Sequence, residues 1–234
     1  MSDKQNKVFD ELAPNYDEVL NNDLKNFSSF KRDYFIEYKI QTVKNILDYS
    51  PSLILDFGCG DGTETFYLKK TFPSSQVIGV DVSQNFIDIA KSKNLEACSF
   101  LVYDGEKLPF EDNSVDFVFS ACVFHHIEKS QHVNLIKELY RILKNKSNLV
   151  IFEHNPINPI TKMIFKKTPI DKGAEMISAC NLSTNIKTAG FSSAKTNYTL
   201  FFPRYNLFKP FFALEKFLTS CPLGAQYFIN SYKN

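Results

Sequence analysis

The stretch LILDFGCGDG, residues 53–62, decides the fold of this 234-residue chain. Its apolar run reaches Asp56 and is followed by Gly58, Gly60 and Gly62. This order predicts a buried strand, a tight turn and the start of a helix, because glycine adopts a positive φ at little cost. Without side chains in the turn, a small ligand can lie directly against the backbone.

The spacing of the glycines distinguishes two kinds of nucleotide cofactor. A dinucleotide fingerprint, G-x-G-x-x-G/A, needs a small residue at the position that Thr63 occupies when counted from Gly58. Here the third glycine, Gly62, comes one position early, while Asp56 and Asp61 add negative charge that favours a cationic ligand over a phosphate. A nicotinamide-dependent oxidoreductase is therefore the weaker alternative.

The same stretch resembles motif I of the class I S-adenosylmethionine-dependent methyltransferases, written (V/I/L)LDxGCGxG, in the group that acts on small molecules. The resemblance implies a Rossmann-like α/β fold with a seven-stranded, mostly parallel sheet of order 3-2-1-4-5-7-6. It also implies S-adenosyl-L-methionine as cofactor, bound by Asp56, Gly58, Cys59, Gly60 and Gly62, and a small-molecule acceptor such as a glycan, lipid-linked or quinone-like compound. A non-catalytic module that binds S-adenosylmethionine is the alternative, since no residue is diagnostic of turnover.

Length favours one α/β domain over residues 1–234. The resemblance implies that it is a methyltransferase domain with an N-terminal lid segment (1–32), a cofactor-binding core (33–156) and an acceptor-side part (157–234). The apolar content of 44% and net charge of +1 give no support for disorder or for a nucleic-acid partner. Five cysteines without a CxxC pair favour reduced thiols. With no signal-peptide pattern and no apolar run near the ~18 residues of a membrane span, we expect a cytoplasmic protein.

Strand and helix patterns alternate along most of the chain. The predicted strands cover residues 53–57, 77–82, 100–103, 115–123 and 149–153, and the predicted helices cover 33–49, 63–71, 85–93 and 131–143. Such alternation indicates a parallel sheet with its ligand at the carboxyl ends of the strands. Further along we expect a loop with a short helix over 157–174, helices over 176–189 and 207–218, and strands over 194–202 and 225–232.

Acidic residues end two of the predicted strands. Asp81 follows the glycine turn by about 20 residues, the spacing at which a carboxylate meets a ribose, and it can accept hydrogen bonds from both ribose hydroxyls. By resemblance, Val82 and Ser83 line the adenosine, and Asp104 with Gly105 receives the adenine. A solvated carboxylate for Asp81 and a plain Asp-Gly turn at 104–105 are the alternatives.

Histidines supply the candidate catalytic groups. His125 and His126 lie in ACVFHHI, which by resemblance places backbone at Ala121 beside the sulfonium. Imidazole titrates near neutral pH and can serve as a general base. Adjacent residues usually point in different directions, so we expect at most one of this pair to face the acceptor, and His154 is the preferred base by position. Packing or surface roles are the alternative for each.

Metal ligation is not expected. The four histidines, His125, His126, His132 and His154, do not form a recognised ligand pattern and have no cysteine pair nearby. Residues 153–155 are expected beside the cleft, with Glu153 and Asn155 flanking His154.

The N-terminal segment FDELAPNYDEV, residues 9–19, resembles the entrance segment of quinone-type methyltransferases. In them a tyrosine, equivalent to Tyr16, closes over the cofactor, and aromatic faces attract a sulfonium. A packing role for Tyr16 is equally open. Lys39 can reach toward the cofactor carboxylate, although a solvated lysine is the simpler expectation.

The C-terminal part, from residue 153 onward, is similar to bacterial methyltransferases associated with surface-glycan or lipid-linked biosynthesis. Arg204 and Tyr205 are cleft residues by that analogy. The Phe-rich residues 207–218 can form an acceptor wall or a peripheral membrane face, but core packing is the favoured interpretation.

Overall fold

The computed structural model describes residues 13–25 and 28–234. Its strands are β1 (Leu53–Phe57), β2 (Gln76–Asp81), β3 (Cys98–Val102), β4 (Val115–Ala121), β5 (Leu143–His154), β6 (Ser193–Thr199) and β7 (Gln226–Tyr232). They form one sheet of order β3-β2-β1-β4-β5-β7-β6, in which β7 is antiparallel to both of its neighbours. The predicted fold class and strand order are confirmed.

Helices cover both faces of this sheet. They are α1 (Tyr16–Lys25), α2 (Arg32–Ile46), α3 (Thr63–Thr71), α4 (Gln84–Ser92), α5 (His132–Ile142), α6 (Pro159–Lys167) and α7 (Ala179–Thr188). Short 3₁₀ segments lie at Phe124–His126 and Pro169–Asp171. Among residues 13–25 and 28–234, no helix has the length and apolar character needed to cross a bilayer.

Alternating residues of the central strands supply two separate cores. Ile54, Phe117 and Phe119 pack with α2 on one face of the sheet, whereas Leu55 and Val118 pack with α5 and α7 on the other. All five side chains are fully buried. Because successive strand residues point to opposite faces, β1 and β4 must be apolar on both, and their sequences are apolar except for Asp56, Asp116 and Ser120.

The largest difference in the sheet from the sequence prediction is at β5. The pairing of β4 with β5 jumps from Val115↔Leu143 to Phe117↔Asn148, so residues 144–147 form an irregular insertion. Regular pairing therefore starts close to the predicted residue 149. Strand β4 ends at Ala121 rather than at residue 123, because Cys122 has a φ of +59° and turns the chain toward the 3₁₀ segment.

The Phe-rich segment does not pack as a core helix, so the favoured interpretation was wrong. It forms a 3₁₀ segment, Asn206–Phe217, that contains Pro210 and buries only Glu215. Leu207 is 80% exposed and Phe217 is 75% exposed. Proline lacks the N–H of a regular helix, and the apolar side chains of this segment cannot all face the core.

Candidate active site

The carboxyl ends of β1, β2, β4 and β5 open into a cavity of about 530 Å³, within the range of roughly 300–1,000 Å³ usual for small-molecule sites. Helices α1, α2 and α6 and residues 200–205 complete its walls. The predicted site residues in the walls are Tyr16, Asp56, Gly58, Cys59, Gly60, Asp81, Ala121, His125, His126 and His154. Parallel strands are expected to present a ligand site at this edge.

The three glycines of the turn have different structural roles. A Cβ on Gly58 would lie 2.4 Å from Val123, and one on Gly62 would lie 2.9 Å from Phe100. A Cβ on Gly60, whose φ is +49°, would meet no atom within 4 Å. Only Gly60 therefore leaves open space beside bare backbone. Gly62 is required for helix packing and does not line the cavity, contrary to its predicted role.

Asp81 stands at the end of β2 with its carboxylate held in place by backbone donors. Its Oδ2 accepts a hydrogen bond from Gly60 N at 3.0 Å, and its Oδ1 accepts one from Ser83 N at 3.0 Å. It lines both the main cavity and a recess of about 30 Å³ whose walls include Val82 and Gly105. Ser83 caps α4 by accepting from Phe86 N, as its position before that helix predicts.

Asp104 is not brought to either cavity. Its carboxylate is exposed and accepts from Glu106 N at 2.8 Å and from Lys107 N at 2.9 Å. These backbone hydrogen bonds hold its pKa below the usual range. The carboxylate of Asp104 thus forms hydrogen bonds within its own turn, whereas Gly105 lines the smaller recess, and contact of these two residues with the adenine stays a prediction.

The negative charge predicted around the glycine turn is largely cancelled. Both carboxylate oxygens of Asp61 accept from Arg32 at 2.8 Å. Burial alone would raise the pKa of Asp61, but Arg32 and Lys93 hold it below its usual range. Burial raises the pKa of Asp56 to about 8, with Thr65 as its hydrogen-bond partner at 2.6 Å. Arg32 therefore pairs with the charge of Asp61 and burial favours the neutral form of Asp56, and the attraction of a cationic ligand by these two residues stays a prediction.

Helix α1 is fastened over the glycine turn by Arg32, which the sequence analysis did not single out. The guanidinium lies 5.0 Å from the ring centroid of Tyr16 and 3.0 Å from Asp17. Tyr16 also makes an edge-to-face contact with Phe86, with centroids 4.9 Å apart. Residues 9–12 of the predicted entrance segment lie outside the described residues, but Tyr16 stands at the cavity wall.

Lys39 is buried rather than solvated. Lys39 is only 6% exposed, and its Nζ lies 3.7 Å from Cys122 Sγ in the cavity wall. Within residues 13–25 and 28–234, no carboxylate lies within ion-pair distance of this ammonium group. A buried cation of this kind is suited to an anionic group of a ligand.

A polar cluster occupies the end of the cavity formed by β4, β5 and α6. His125 Nδ1 lies 2.6 Å from Glu153 Oε2, and its Nε2 lies 3.3 Å from Asp171 Oδ1. The rings of His125 and His126 are 4.0 Å apart, and both line the cavity. The expectation that at most one would face it was wrong, because the 3₁₀ turn at Phe124–His126 presents both on one side.

Burial and neighbouring charges separate the histidine pKa values. Although burial opposes it, Glu153 and Asp171 raise the pKa of His125 to about 10. Burial lowers the pKa of His154 to about 4 and that of His126 well below its usual value. A general base works best with a pKa near the working pH, so the environment of His154 makes it a weak proton acceptor.

Asn155, which was expected beside the cleft, and His132 have structural roles. Asn155 Nδ2 donates to the carbonyl oxygens of Pro222 and Gly224 at 3.0 and 2.7 Å, and it does not line the cavity. His132 Nε2 lies 2.9 Å from the carbonyl oxygens of Phe124 and Ile127. Both fasten loops that surround the site.

Arg204 and Tyr205 line the cavity, where the sequence analogy put them. Arg204 forms a buried pair with Glu215, with N···O distances of 2.8 and 2.6 Å. Glu215 Oε1 also accepts from Phe201 N at 2.7 Å and from Phe202 N at 3.1 Å. The pair therefore holds the cavity wall at residues 200–205 against the Phe-rich segment.

Asp171 and Glu215 were missed from the sequence. Asp171 sits in the unremarkable tripeptide Pro169–Asp171, and Glu215 is a single acid in an apolar run. Neither has a local pattern that marks it, because each meets its partner only through the fold.

Comparison with known proteins gives one matching family and several relatives. Residues 54–146 match the family described as "Methyltransferase domain". A demethylmenaquinone methyltransferase of Thermotoga maritima is 34% identical over 152 residues, which cover 65% of this chain and 62% of that protein. A similar protein of Lactococcus lactis is 31% identical over 166 residues, 68% of this chain and 62% of its own length. The chain thus covers less than two thirds of the length of each of these two relatives.

Solved structures share the fold at low sequence identity. A SAM-dependent methyltransferase from Thermotoga maritima superimposes with a TM-score of 0.70 at 22% identity, over 97% of this chain and 99% of that one. The match over residues 54–146, the strand order and this superposition agree with motif I and with the cofactor that the motif implies. Residues 54–146 therefore match a methyltransferase domain, and the described chain has the fold of the class I S-adenosylmethionine-dependent methyltransferases that its sequence resembles.

Proposed function

We propose that this protein transfers a methyl group from S-adenosylmethionine to a small acceptor of the quinone type. The observation that carries the proposal is Asp81, which is fixed by backbone donors beside the bare backbone at Gly60 and lines the cavity. The names of the relatives, demethylmenaquinone methyltransferases, support the acceptor class.

The donor side of the cavity fits a charged nucleoside. Asp81 has acceptor capacity for ribose hydroxyls, and Gly60 lets the ligand approach the backbone. Lys39 would pair with the carboxylate of the methionine part of S-adenosylmethionine, and the ring of Tyr16 would cover the bound cofactor. When bound, S-adenosylmethionine supplies an electrophilic methyl group on a sulfonium.

The acceptor side fits an apolar ring that carries oxygen atoms. Its walls include the side chains of Ile160, Ile164, Phe165, Phe201 and Phe202. The histidine cluster puts polar groups at the inner end of this apolar chamber. A ring with hydrophobic substituents would lie among the apolar side chains, with its oxygen atoms at the histidine cluster.

The main contribution of the chain to catalysis is alignment. Helix α1 and residues 200–205 enclose the cavity, so donor and acceptor are held together away from bulk water. Alignment of this kind contributes roughly 7–11 kcal/mol to lowering the barrier in well-oriented reactions. We place donor binding in residues 33–156 and acceptor binding in residues 157–234, together with the histidines, within one domain.

The cavity mouth also fits the surface of an anionic membrane, from which an apolar acceptor would enter. Ile160 in α6 is 57% exposed and lines the cavity, and Leu207 and Phe217 are exposed on the Phe-rich segment, which the Arg204–Glu215 pair joins to the cavity wall. These elements carry Lys162, Lys166, Lys167, Lys209 and Lys216, whereas their single acid, Glu215, is paired and buried. Apolar residues among lysines favour anionic lipid. All five cysteines are free, which suits the cytoplasmic face.

Sedimentation with lipid vesicles tests this surface. We expect the protein to bind phosphatidylglycerol vesicles more strongly than phosphatidylcholine vesicles, and Leu207→Ser with Phe217→Ser to weaken that binding. Phe66→Ser is the matched control, since Phe66 is 43% exposed on α3, away from the cavity wall. Equal binding by the double variant and the control would contradict the membrane face.

Transfer of a labelled methyl group tests the function itself. The full chain is incubated with methyl-labelled S-adenosylmethionine and reduced demethylmenaquinone in detergent, and we expect label in the quinone fraction and S-adenosylhomocysteine as co-product. Heat of binding with S-adenosylmethionine but no label in this acceptor or in a cell extract would indicate a binding module. Heat with NAD alone would indicate an oxidoreductase instead.

A further inference from the structure

The polar cluster at the acceptor end contains three side chains that could ligate a metal ion. His125, His126 and Asp171 each offer one ligand atom, and these atoms lie within 4.8 Å of one another. The Nε2 atoms of His125 and His126 lie 3.3 and 3.6 Å from Asp171 Oδ1. All three residues line the cavity at its acceptor end.

The spacing of these atoms matches two edges of a tetrahedral metal site. With metal–ligand bonds of about 2.0–2.2 Å, neighbouring donors in a tetrahedral zinc site lie about 3.3–3.5 Å apart. The two measured distances to Asp171 Oδ1, 3.3 and 3.6 Å, are close to this value. Along these two edges a metal ion would require only small shifts, and the third pair of donor atoms lies within 4.8 Å.

A second carboxylate orients one of the ligands. Glu153 Oε2 holds His125 Nδ1 at 2.6 Å, which directs Nε2 toward Asp171 and the cavity. Glu153 is itself fixed, since it is fully buried and its Oε1 accepts from Phe124 N at 2.7 Å. Metal-bound histidines usually have their other ring nitrogen held by a carboxylate in this way.

The charges of the cluster also suit a divalent cation. The side chain of Glu153 is fully buried, and that of Asp171 is only 9% exposed. One divalent ion would balance both carboxylates, while the histidines bind it in their neutral form. Buried charges are stable only when they are paired or coordinate a metal.

We propose that His125, His126 and Asp171 bind one divalent transition-metal ion of the zinc type, with its fourth position open to the cavity. The use of this ion rests on the proposed function: it would hold an oxygen of the acceptor as an anion, whose proton passes to solvent on binding. Metal ions make oxygen ligands more acidic. Glu153 acts as a positioning residue for His125.

Titration with metal ions alone tests the site without any methyl transfer. The full chain is treated with a chelator and titrated with Co²⁺, in the absence of S-adenosylmethionine and acceptor. We expect one equivalent to bind with the visible absorption of a four-coordinate site, and Zn²⁺ to displace it. X-ray absorption of the zinc form is expected to show only nitrogen and oxygen ligands, at about 2.0–2.2 Å.

Variants identify the ligands. Asp171→Asn and His126→Gln should each weaken metal binding by at least about 100-fold, and Glu153→Gln by about 10- to 100-fold. His154→Gln is the matched control, because His154 lines the same wall but is not among the three ligands. Circular dichroism shows whether each variant is folded. If one of the two ligand variants unfolds, the other is used for the comparison with His154→Gln.

Several results would overturn the assignment. These are the absence of saturable binding by the wild-type chain, a sulfur ligand at about 2.3 Å, or an equal loss of binding in His154→Gln. Binding of S-adenosylmethionine is measured separately on the metal-free chain. Loss of the metal site with intact cofactor binding refutes only this inference, whereas failure of cofactor binding refutes the proposed function.

Discussion

The two ends of the cavity are built in different ways. At the donor end, the glycine turn, Asp81 and the start of α4 come from consecutive elements, and the key hydrogen bonds to Asp81 come from the backbone at Gly60 and Ser83. At the acceptor end, His125, Glu153 and Asp171 come from separate segments and meet only through side chains. Recognition by backbone needs only a correct local turn, whereas side-chain chemistry needs the whole sheet in register.

The acceptor end is held by a buried pair, so breaking that pair should have the largest effect. We expect Arg204→Met to lower the free energy of unfolding by about 3–5 kcal/mol, because it leaves Glu215 charged and buried. Denaturant unfolding measures the change. The control is Glu37→Gln, which removes an exposed pair with Lys70 and should cost no more than ~1 kcal/mol. Equal losses in the two variants would mean that Arg204 does not hold this wall.

The donor end depends on its backbone, and its glycines separate packing from ligand access. Gly62→Ala should lower the free energy of unfolding by about 2–4 kcal/mol, since the new Cβ meets Phe100 at a positive φ. Gly60→Ala should cost only about 1–2 kcal/mol from its positive φ, yet it should weaken S-adenosylmethionine binding. Unfolding curves and titration calorimetry measure the two effects. A Gly60→Ala protein with wild-type affinity would remove that backbone from the donor site.

The two strand-end carboxylates of the donor end should differ sharply. Asp81→Ala should weaken binding of S-adenosylmethionine by about 10- to 150-fold, from hydrogen bonds worth about 1.5–3 kcal/mol. Asp104→Ala should change the affinity by less than about twofold, because its carboxylate serves its own turn. Titration calorimetry of both variants, with Asp88→Ala as an exposed control on α4, decides the matter. A comparable loss in Asp104→Ala would restore its predicted adenine contact.

The protonation state of Asp56 at the donor end should make the free energy of unfolding depend on pH. Its folded-state pKa of about 8 lies above the ordinary value near 3.9. The stability that protonated Asp56 contributes to the folded protein is therefore fully present below about pH 4 and is lost as the pH rises through 8. Between pH 5 and 7 this group should lower the free energy of unfolding by up to about 1.4 kcal/mol per pH unit. Asp56→Asn should remove that slope. Parallel pH profiles of wild type and variant would show that Asp56 is charged in the folded protein.

Sequence reasoning worked best where the interactions are local. The bounds predicted for β1 and α3, residues 53–57 and 63–71, match the structure, and Ser83 caps α4 as its position predicts. These features depend on a few neighbouring residues and on the conformational freedom of glycine. The strand order came from the family resemblance rather than from any local pattern.

Charges were the least predictable feature of the site. Asp61 was interpreted as negative and Lys39 as solvated, but Arg32 cancels the first and burial encloses the second. Arg32 precedes Asp61 by 29 residues, and Asp171 follows His125 by 46 residues. No spacing rule connects such pairs, because their contact depends on how the helices and loops pack against the sheet.

Local sequence patterns were enough to predict a glycine turn after a buried strand, an acidic residue at the end of the next strand, and hence a class of cofactor. Only the tertiary structure decided which charges survive at the site, that His125 and His126 face one cavity with Asp171, and that the Phe-rich segment is exposed. The physical reason is the separation along the sequence of the residues that interact. Backbone conformation is set by adjacent residues, whereas burial and ion pairing are set by segments that meet only after the sheet has formed.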